Sequence, residues 1–102
     1  MNTKEINRKL VKYATLVREK FSPKKIILFG SYARGNFTEN SDIDIAVIVY
    51  NIEDDFLDLE FQLFKLRRDI DDRIEPVLLE ENNDRSGFLE SILEYGKVIY
   101  SC

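Results

Sequence analysis

The sequence predicts a single α/β (α+β) domain over residues 1–102, with a small mixed sheet and helices packed on one face. Two observations support this fold class. Segments whose apolar residues recur at the spacing of a helix alternate with shorter segments that have the apolar pattern of a strand. In addition, 102 residues suit one domain and leave no room for a second.

The first half of the chain contains one helix and two strands. Residues 4–20 predict a helix that ends at Ser22-Pro23, because proline disfavours helical backbone in the residue before it. The continuous apolar run Ile26–Phe29 is typical of a short strand buried on both faces. Residues 30–41 are rich in turn formers and predict a polar loop with one short helical turn. Asp42–Val49 alternates and predicts a second strand with one wholly apolar face, which consists of Ile43, Ile45, Val47 and Val49.

The second half of the chain repeats the alternation of helices and strands. Residues 54–70 predict a helix, and residues 73–79 predict a third strand that Pro76 interrupts. Residues 86–95 predict a last helix with Gly96 as its stop, and residues 97–100 predict a short final strand.

Composition excludes several classes of function. The formal net charge is −4, and basic residues adjoin one another only in pairs such as Lys24-Lys25 and Arg67-Arg68, so we do not expect direct binding of nucleic acid. We expect a soluble cytoplasmic protein, because no apolar run could span a membrane, no secretory leader is present, and Cys102 is the only cysteine. The absence of histidine excludes Ser-His-Asp triads, Cys-His pairs and histidine-ligated zinc. Catalysis must therefore depend on carboxylates, hydroxyls, backbone amides and bound metal.

Gly30-Ser31 directly follows the first predicted strand, where the chain enters the polar loop. Glycine allows a phosphate to approach the backbone closely, and Ser31 can cap the following turn, whose free amides favour an anion. A Gly-Ser pair is also an ordinary end to a strand. On its own it does not distinguish a phosphate site from a turn.

Asp42 and Asp44 lie two residues apart on a strand, so their side chains leave the same face about 6.7 Å apart. Ionised carboxylates this close repel each other unless a cation lies between them. Hard oxygen ligands suit magnesium, and a carboxylate pair can hold the two ions of two-metal phosphoryl chemistry. The alternative is that both are ordinary polar residues at the exposed entry of a strand.

The spacing joins these features, because GSYARGNFTENSDIDIAV places the glycine turn at the end of one strand and the acidic pair at the start of the next. This segment resembles the signature of the nucleotidyltransferase superfamily that includes DNA polymerase beta and the kanamycin nucleotidyltransferases. From Lys24 to Tyr100 the chain looks most like the minimal nucleotidyltransferases, which are often encoded beside a helical HEPN-domain protein.

The resemblance assigns expected roles to individual residues. It implies that Ser31 binds the triphosphate of ATP, with Gly30 permitting the approach, and that Asp42 and Asp44 hold two Mg²⁺ ions. Arg34 stands where many relatives have a basic residue. A role on the phosphates or on a partner is open for it, and so is the role of a solvated loop arginine.

Glu75 is the expected third acid of the site, as both a metal ligand and a catalytic group. The resemblance implies an aspartate at this place, so Glu75 is one methylene longer, and Pro76 follows it. Strand alternation sends Glu75 to the side of Asp44 and sends Asp72 to the opposite side, while Asp71 lies about 13 Å further back. We also expect Arg73 to keep Glu75 ionised, and Pro76 to mark an edge strand.

The function implied is transfer of a nucleoside monophosphate, AMP from ATP, to an acceptor hydroxyl on a partner protein. The resemblance points to a HEPN-domain toxin as the partner, with this chain as the antitoxin that adenylylates one of its tyrosines. The alternative from another class is a binding-only antitoxin, which Glu75 and Pro76 favour. A small-molecule acceptor such as an aminoglycoside is a weaker third hypothesis, and an oligomer is left open.

A partner surface is also expected on the sheet face that carries the acids. Beyond Asp44 this face continues with Ala46 and Ile48, and the third strand adds Val77, so an apolar surface needs a cover. The final helix and strand of the chain itself are the alternative cover.

Overall fold

The computed structural model describes residues 3–38, 40–52, 55–82 and 87–102. Its strands form one four-stranded sheet in the order β3-β2-β1-β4. The strands are β1 (Lys25–Phe29), β2 (Ile43–Val49), β3 (Ile74–Glu80) and β4 (Lys97–Ser101). β1 runs antiparallel to both β2 and β4, whereas β2 and β3 are parallel. The predicted mixed sheet is therefore confirmed.

Within the described residues four helices accompany the sheet: α1 (Thr3–Phe21), α2 (Ser31–Arg34), α3 (Phe56–Leu66) and α4 (Phe88–Tyr95). α3 is shorter than the predicted helix over residues 54–70. It begins after Asp55, whose carboxylate accepts hydrogen bonds from the backbone N–H groups of Leu57 at 2.9 Å and Asp58 at 3.3 Å, which is typical of an N-cap. Residues 54 and 86, where the third and the last helix were predicted to begin, lie outside the described residues. In the described part of the chain no helix is long and apolar enough to cross a bilayer.

The larger part of the core lies between the sheet and the helices α1 and α3. The alternation of β2 fixes this arrangement, because the side chains of its apolar face all point toward these two helices, as predicted. Tyr13 of α1 is fully buried, and its hydroxyl donates to the carbonyl of Leu63 in α3 at 2.7 Å. Burial raises the pKa of Tyr13, so the hydroxyl stays protonated and continues to link the two helices.

α4 packs on the opposite face of the sheet, so helices cover more than the one face expected from the sequence. Its residues Leu89 and Ile92 contact Ile27, Ala46 and Ile48. The prediction that a partner protein must cover this face is therefore wrong for Ile48, which is only 2% exposed in the chain by itself. Val77, the other residue of that prediction, is half-buried.

Gly96 allows α4 to lie close to β1. Its N–H donates to the carbonyl of Ile92 at 2.8 Å and so ends the helix, as predicted, but its φ of −82° is not left-handed. A Cβ at this position would lie 2.9 Å from the carbonyl oxygen of Leu28 and closer still to the side chain of Ile27. Glycine is therefore required here for close packing rather than for backbone conformation.

β3 is an edge strand, as Pro76 predicted. A proline has no N–H to donate to a ladder, and only an edge strand has one side without a neighbouring strand. The carboxylate-bearing starts of β2 and β3 therefore lie side by side at one end of the sheet, next to its edge.

Candidate active site

The candidate acids lie where β1 ends and where β2 and β3 begin. In the strand register Asp44 is opposite Phe29 of β1 and beside Glu75 of β3. Neighbours in register share a face, so Asp44 and Glu75 project from the same side of the sheet, as strand alternation predicted. Asp42 immediately precedes β2 and is exposed. The roles of these three residues as metal ligands remain predictions.

The ionised form of Asp44 is disfavoured by its surroundings, and a bound cation would stabilise it. Partial burial raises the pKa of its carboxyl, and the negative charges of Asp42 and Glu75 raise it further, while Arg34 acts in the opposite direction. Asp42 and Glu75 are thus close enough to Asp44 to repel its carboxylate, and carboxylate oxygens are the hard ligands that magnesium prefers. Among residues 3–38, 40–52, 55–82 and 87–102, however, no three acidic or cysteine side chains are already arranged as a metal site.

Glu75 is held by a different arginine from the one expected. The Arg67 Nη1 atom lies 3.6 Å from Glu75 Oε1, and the same nitrogen donates to the backbone carbonyls of Asp72 at 2.7 Å and Ile74 at 2.8 Å. The prediction that Arg73 keeps Glu75 ionised is therefore wrong. Since the Glu75 side chain is 42% exposed and its contact with Arg67 is long, a metal ion could draw the carboxylate away.

Arg73 instead forms a network with Asp71 that the sequence did not predict. Its Nη2 and Nε atoms donate to the two carboxylate oxygens of Asp71 at 2.7 and 3.0 Å, and Lys9 donates to the same carboxylate at 2.9 Å. These hydrogen bonds, those from Arg73 above all, hold the pKa of Asp71 well below its usual range. Asp71 thus joins α1 to the start of β3, and only 8% of its side chain is exposed.

The same network reaches the loop that follows β1. Arg73 Nη1 donates to the hydroxyl of Tyr32 at 3.1 Å, and the ring of Tyr32 stacks on Phe37 with 4.3 Å between centroids. Tyr32 is buried, so it supports the loop from beneath and is not an open platform for a base. Tyr50 lies at the far end of β2 near Lys24 and does not border the acids.

Gly30 is in direct contact with the acid site. Its φ of 72° and ψ of −152° belong to a region that is essentially restricted to glycine. A Cβ built on Gly30 would overlap the Asp44 carboxylate. Gly30 also occupies the cap position of α2 without any side-chain hydrogen bond, so the prediction that Ser31 caps this turn is wrong. Ser31 is the first helical residue, and it lies one residue away from the contact with Asp44.

A pocket of about 580 Å³ opens beside Gly30 on the face that also carries Asp44. Phe29 and Phe88 form part of its wall and pack edge to face at 5.8 Å. The other lining residues are Gly30, Arg34, Ser91, Ile92, Tyr95 and Gly96. A mostly apolar wall with a few polar groups suits a ligand in which a planar ring is joined to a group with hydroxyls. The volume of the pocket is in the range of small-molecule sites. The sequence reasoning missed this pocket, because it depends on how α4 lies on the sheet.

Comparison with known proteins identifies relatives along most of the chain. Residues 11–102 match the family described as polymerase beta, nucleotidyltransferase. A candidate protein adenylyltransferase of Methanocaldococcus jannaschii is 44% identical over 79 residues, which cover 76% of this chain and 78% of the relative. A second protein of the same description and organism is 29% identical over 87 residues, which cover 81% of this chain and 83% of the relative.

Two solved structures share the fold. A candidate nucleotidyltransferase from Sulfolobus solfataricus superposes with a TM-score of 0.63 at 19% identity, covering 99% of this chain and 90% of that one. A chain from a crystal structure described as a toxin-antitoxin with AMP-PNP gives a TM-score of 0.69 at 26% identity, covering 94% of this chain and 73% of that one.

Proposed function

The chain belongs to the polymerase beta nucleotidyltransferase family, and we propose from that premise that it transfers AMP from ATP to a hydroxyl of a partner protein in the cytoplasm. One observation carries the proposal. The glycine turn that the resemblance assigns to the triphosphate touches Asp44, and Asp44 lies beside Glu75 in the strand register. A phosphate-binding backbone and paired acids at one end of a sheet are the components that nucleotidyl transfer needs.

Each residue of the site contributes a defined part of the reaction. Gly30 and Ser31 bind and orient the triphosphate, and the exposed cationic side chain of Arg34 lies close enough to Asp44 to lower its pKa and to offset phosphate charge. The pocket beside Gly30 receives the nucleoside. The acceptor oxygen forms a bond to the α-phosphorus while the bond to pyrophosphate breaks, and Glu75 takes the proton that the acceptor loses.

Asp42, Asp44 and Glu75 would hold magnesium, two ions being the number that the resemblance implies. When bound, the metal neutralises charge on the phosphates and on the pyrophosphate that leaves. The fit rests on the donor set, which consists of hard oxygen ligands. It also rests on the raised pKa of Asp44, to which partial burial contributes most and repulsion by Asp42 and Glu75 contributes next.

The partner that we propose is a HEPN-domain toxin, with the hydroxyl of one of its tyrosines as the acceptor. Two facts support a protein acceptor: the relatives described as candidate protein adenylyltransferases and the structural neighbour from a toxin-antitoxin.

The test is coexpression with a HEPN-domain protein encoded beside this chain, followed by intact mass measurement of that protein. We expect one or more AMP additions with the native chain and none with the Asp44→Asn variant. An unmodified partner in both samples would overturn protein adenylylation as the activity.

A binding-only antitoxin is the second candidate, and a specific observation favours it. Glu75 replaces the expected aspartate and lies 3.6 Å from Arg67, and among the described residues no three acidic side chains are arranged as a metal site. In this case the Asp44→Asn variant would protect cells from the toxin as well as the native chain does, and the toxin would carry no AMP. If transfer is the function, the variant gives no protection although it still folds.

A further inference from the structure

The outer face of α3 exposes large apolar side chains. Leu57 is 75% exposed and Phe61 is 60% exposed, while Phe64 is partly exposed. These residues are spaced by four and three positions, so they form one stripe along the helix. Leu63, on the side of α3 that faces the sheet, is fully buried. The helix therefore has a second apolar face that the fold of this chain does not use.

A groove borders this stripe at the C-terminal end of α3. It has a volume of about 250 Å³, and its lining residues are Phe61, Phe64, Lys65, Arg67, Arg68 and Asp72. Two of its cations lie against aromatic rings, since Lys65 Nζ is 5.5 Å from the centre of the Phe61 ring and the Arg67 guanidinium is 4.9 Å from that of Phe64. The groove thus combines an apolar floor with a basic rim.

Of the three charged residues of α3, Asp58, Glu60 and Lys65, the first and the last lie on opposite sides of the helix midpoint and have opposite charges. Phe61 is the central residue of Phe56–Leu66. Asp58 lies three residues before it and Lys65 four residues after it, which is about 4.5 Å and 6 Å along the axis. Both flank the apolar stripe on the same side, because residues seven apart lie nearly in line on a helix.

We infer that the exposed face of α3 binds the same face of a second copy of this chain, with the two helices antiparallel about a two-fold axis. Such a pair brings Asp58 of each copy to the level of Lys65 of the other, within about 1.5 Å along the axis. The exposed Leu57 of each copy then meets the groove lined by Phe61 and Phe64 of the other copy. The helix dipoles are also opposed, which favours the antiparallel arrangement.

The size of the face sets the strength of association. Stable dimers bury about 800 Å² on each partner, and one helix face with three apolar side chains offers less than that. We therefore expect a reversible dimer with a dissociation constant on the order of 10–100 µM. This inference is independent of the proposed transfer activity, since the residues changed in its tests, Leu57, Asp58 and Lys65, are not residues of the acid site.

Sedimentation equilibrium of the purified chain over a concentration series tests the inference. We expect a mass that rises from that of the 12.0 kDa chain toward twice that value. Leu57→Ala should raise the dissociation constant of the dimer about tenfold or more, because the two-fold axis makes each contact of Leu57 occur twice and the substitution removes both. The matched control is Val11→Ala on α1, which removes an apolar side chain of similar exposure, 62%, and should leave the dimer unchanged.

A charge exchange tests the antiparallel geometry separately. Asp58→Lys and Lys65→Asp should each weaken association, because each places like charges together twice, and the double variant should restore it. Circular dichroism establishes that every variant is folded. A monomer at every concentration, a dimer insensitive to Leu57→Ala, or a double variant no better than either single one would each overturn the inference.

Discussion

Replacement of Gly30 by alanine combines two effects that the structure separates. The backbone at φ 72° and ψ −152° lies in a region where a residue with a Cβ is strained by about 1–3 kcal/mol. The new Cβ would also overlap the Asp44 carboxylate, which must shift. Adding about 1 kcal/mol for that displacement gives a total of roughly 2–4 kcal/mol. For a domain of this size the melting temperature should fall by about 10–20 °C.

Gly35→Ala is the matched control for Gly30→Ala. Gly35 also has a positive φ, 82°, but a Cβ there would meet no atom within 4 Å. We expect a cost of about 1 kcal/mol and no change in nucleotide affinity. The assays are thermal unfolding by circular dichroism and titration calorimetry with ATP and magnesium. If Gly30→Ala were no more damaging than Gly35→Ala in both assays, the contact between Gly30 and Asp44 would not matter and the reasoning would be refuted.

Three further predictions concern the acids. Asp44→Asn should abolish transfer in a labelled-ATP assay. In the absence of metal it should raise the melting temperature, because Asp42 and Glu75 lose a like-charged neighbour. A lower melting temperature would contradict this explanation. Glu75→Gln should reduce the transfer rate about 100-fold or more, whereas the exposed control Asp72→Asn should leave it unchanged. The opposite ranking would show that Glu75 is not the third acid. Hydrogen bonds from Arg73 lower the pKa of folded Asp71, so their stabilisation is complete above the ordinary pKa of about 3.9 and is lost as the pH falls below it. Urea unfolding at pH 6 and pH 3 should therefore show a smaller acid loss for Asp71→Asn than for the native chain, and equal losses would exclude this origin.

The sheet could be predicted from the sequence because strand alternation is a strong constraint. The apolar face of β2 must be buried, and a slip of one residue would expose all of it. That constraint also fixed the parity of Glu75, whereas the missing N–H of Pro76 predicted the edge position of its strand. The side on which α4 packs could not be predicted in this way. An amphipathic helix shows which of its own faces is buried, but it does not show which face of a sheet will receive it.

The partners of the charged side chains were the least predictable part of the site. Arg73 has one acid two residues before it, Asp71, and one two residues after it, Glu75, and both share its strand parity, so alternation alone does not choose between them. The turn before β3 decides for Asp71, since its carboxylate also accepts a hydrogen bond from the backbone N–H of Arg73 at 2.9 Å. Arg67 reaches Glu75 only because α3 ends beside β3, a tertiary contact that no local pattern encodes.

The central claim is that the acids beside Gly30 and Ser31 direct attack on the α-phosphorus of ATP. The most direct measurement compares ATP labelled at the α-phosphate with ATP labelled at the γ-phosphate, each incubated with magnesium, the chain and the HEPN-domain partner. We predict label on the partner only from the α-position, release of the γ-label as pyrophosphate, and loss of both signals with Asp44→Asn. Transfer of the γ-label to the partner, or α-label transfer that persists with Asp44→Asn, would contradict the account.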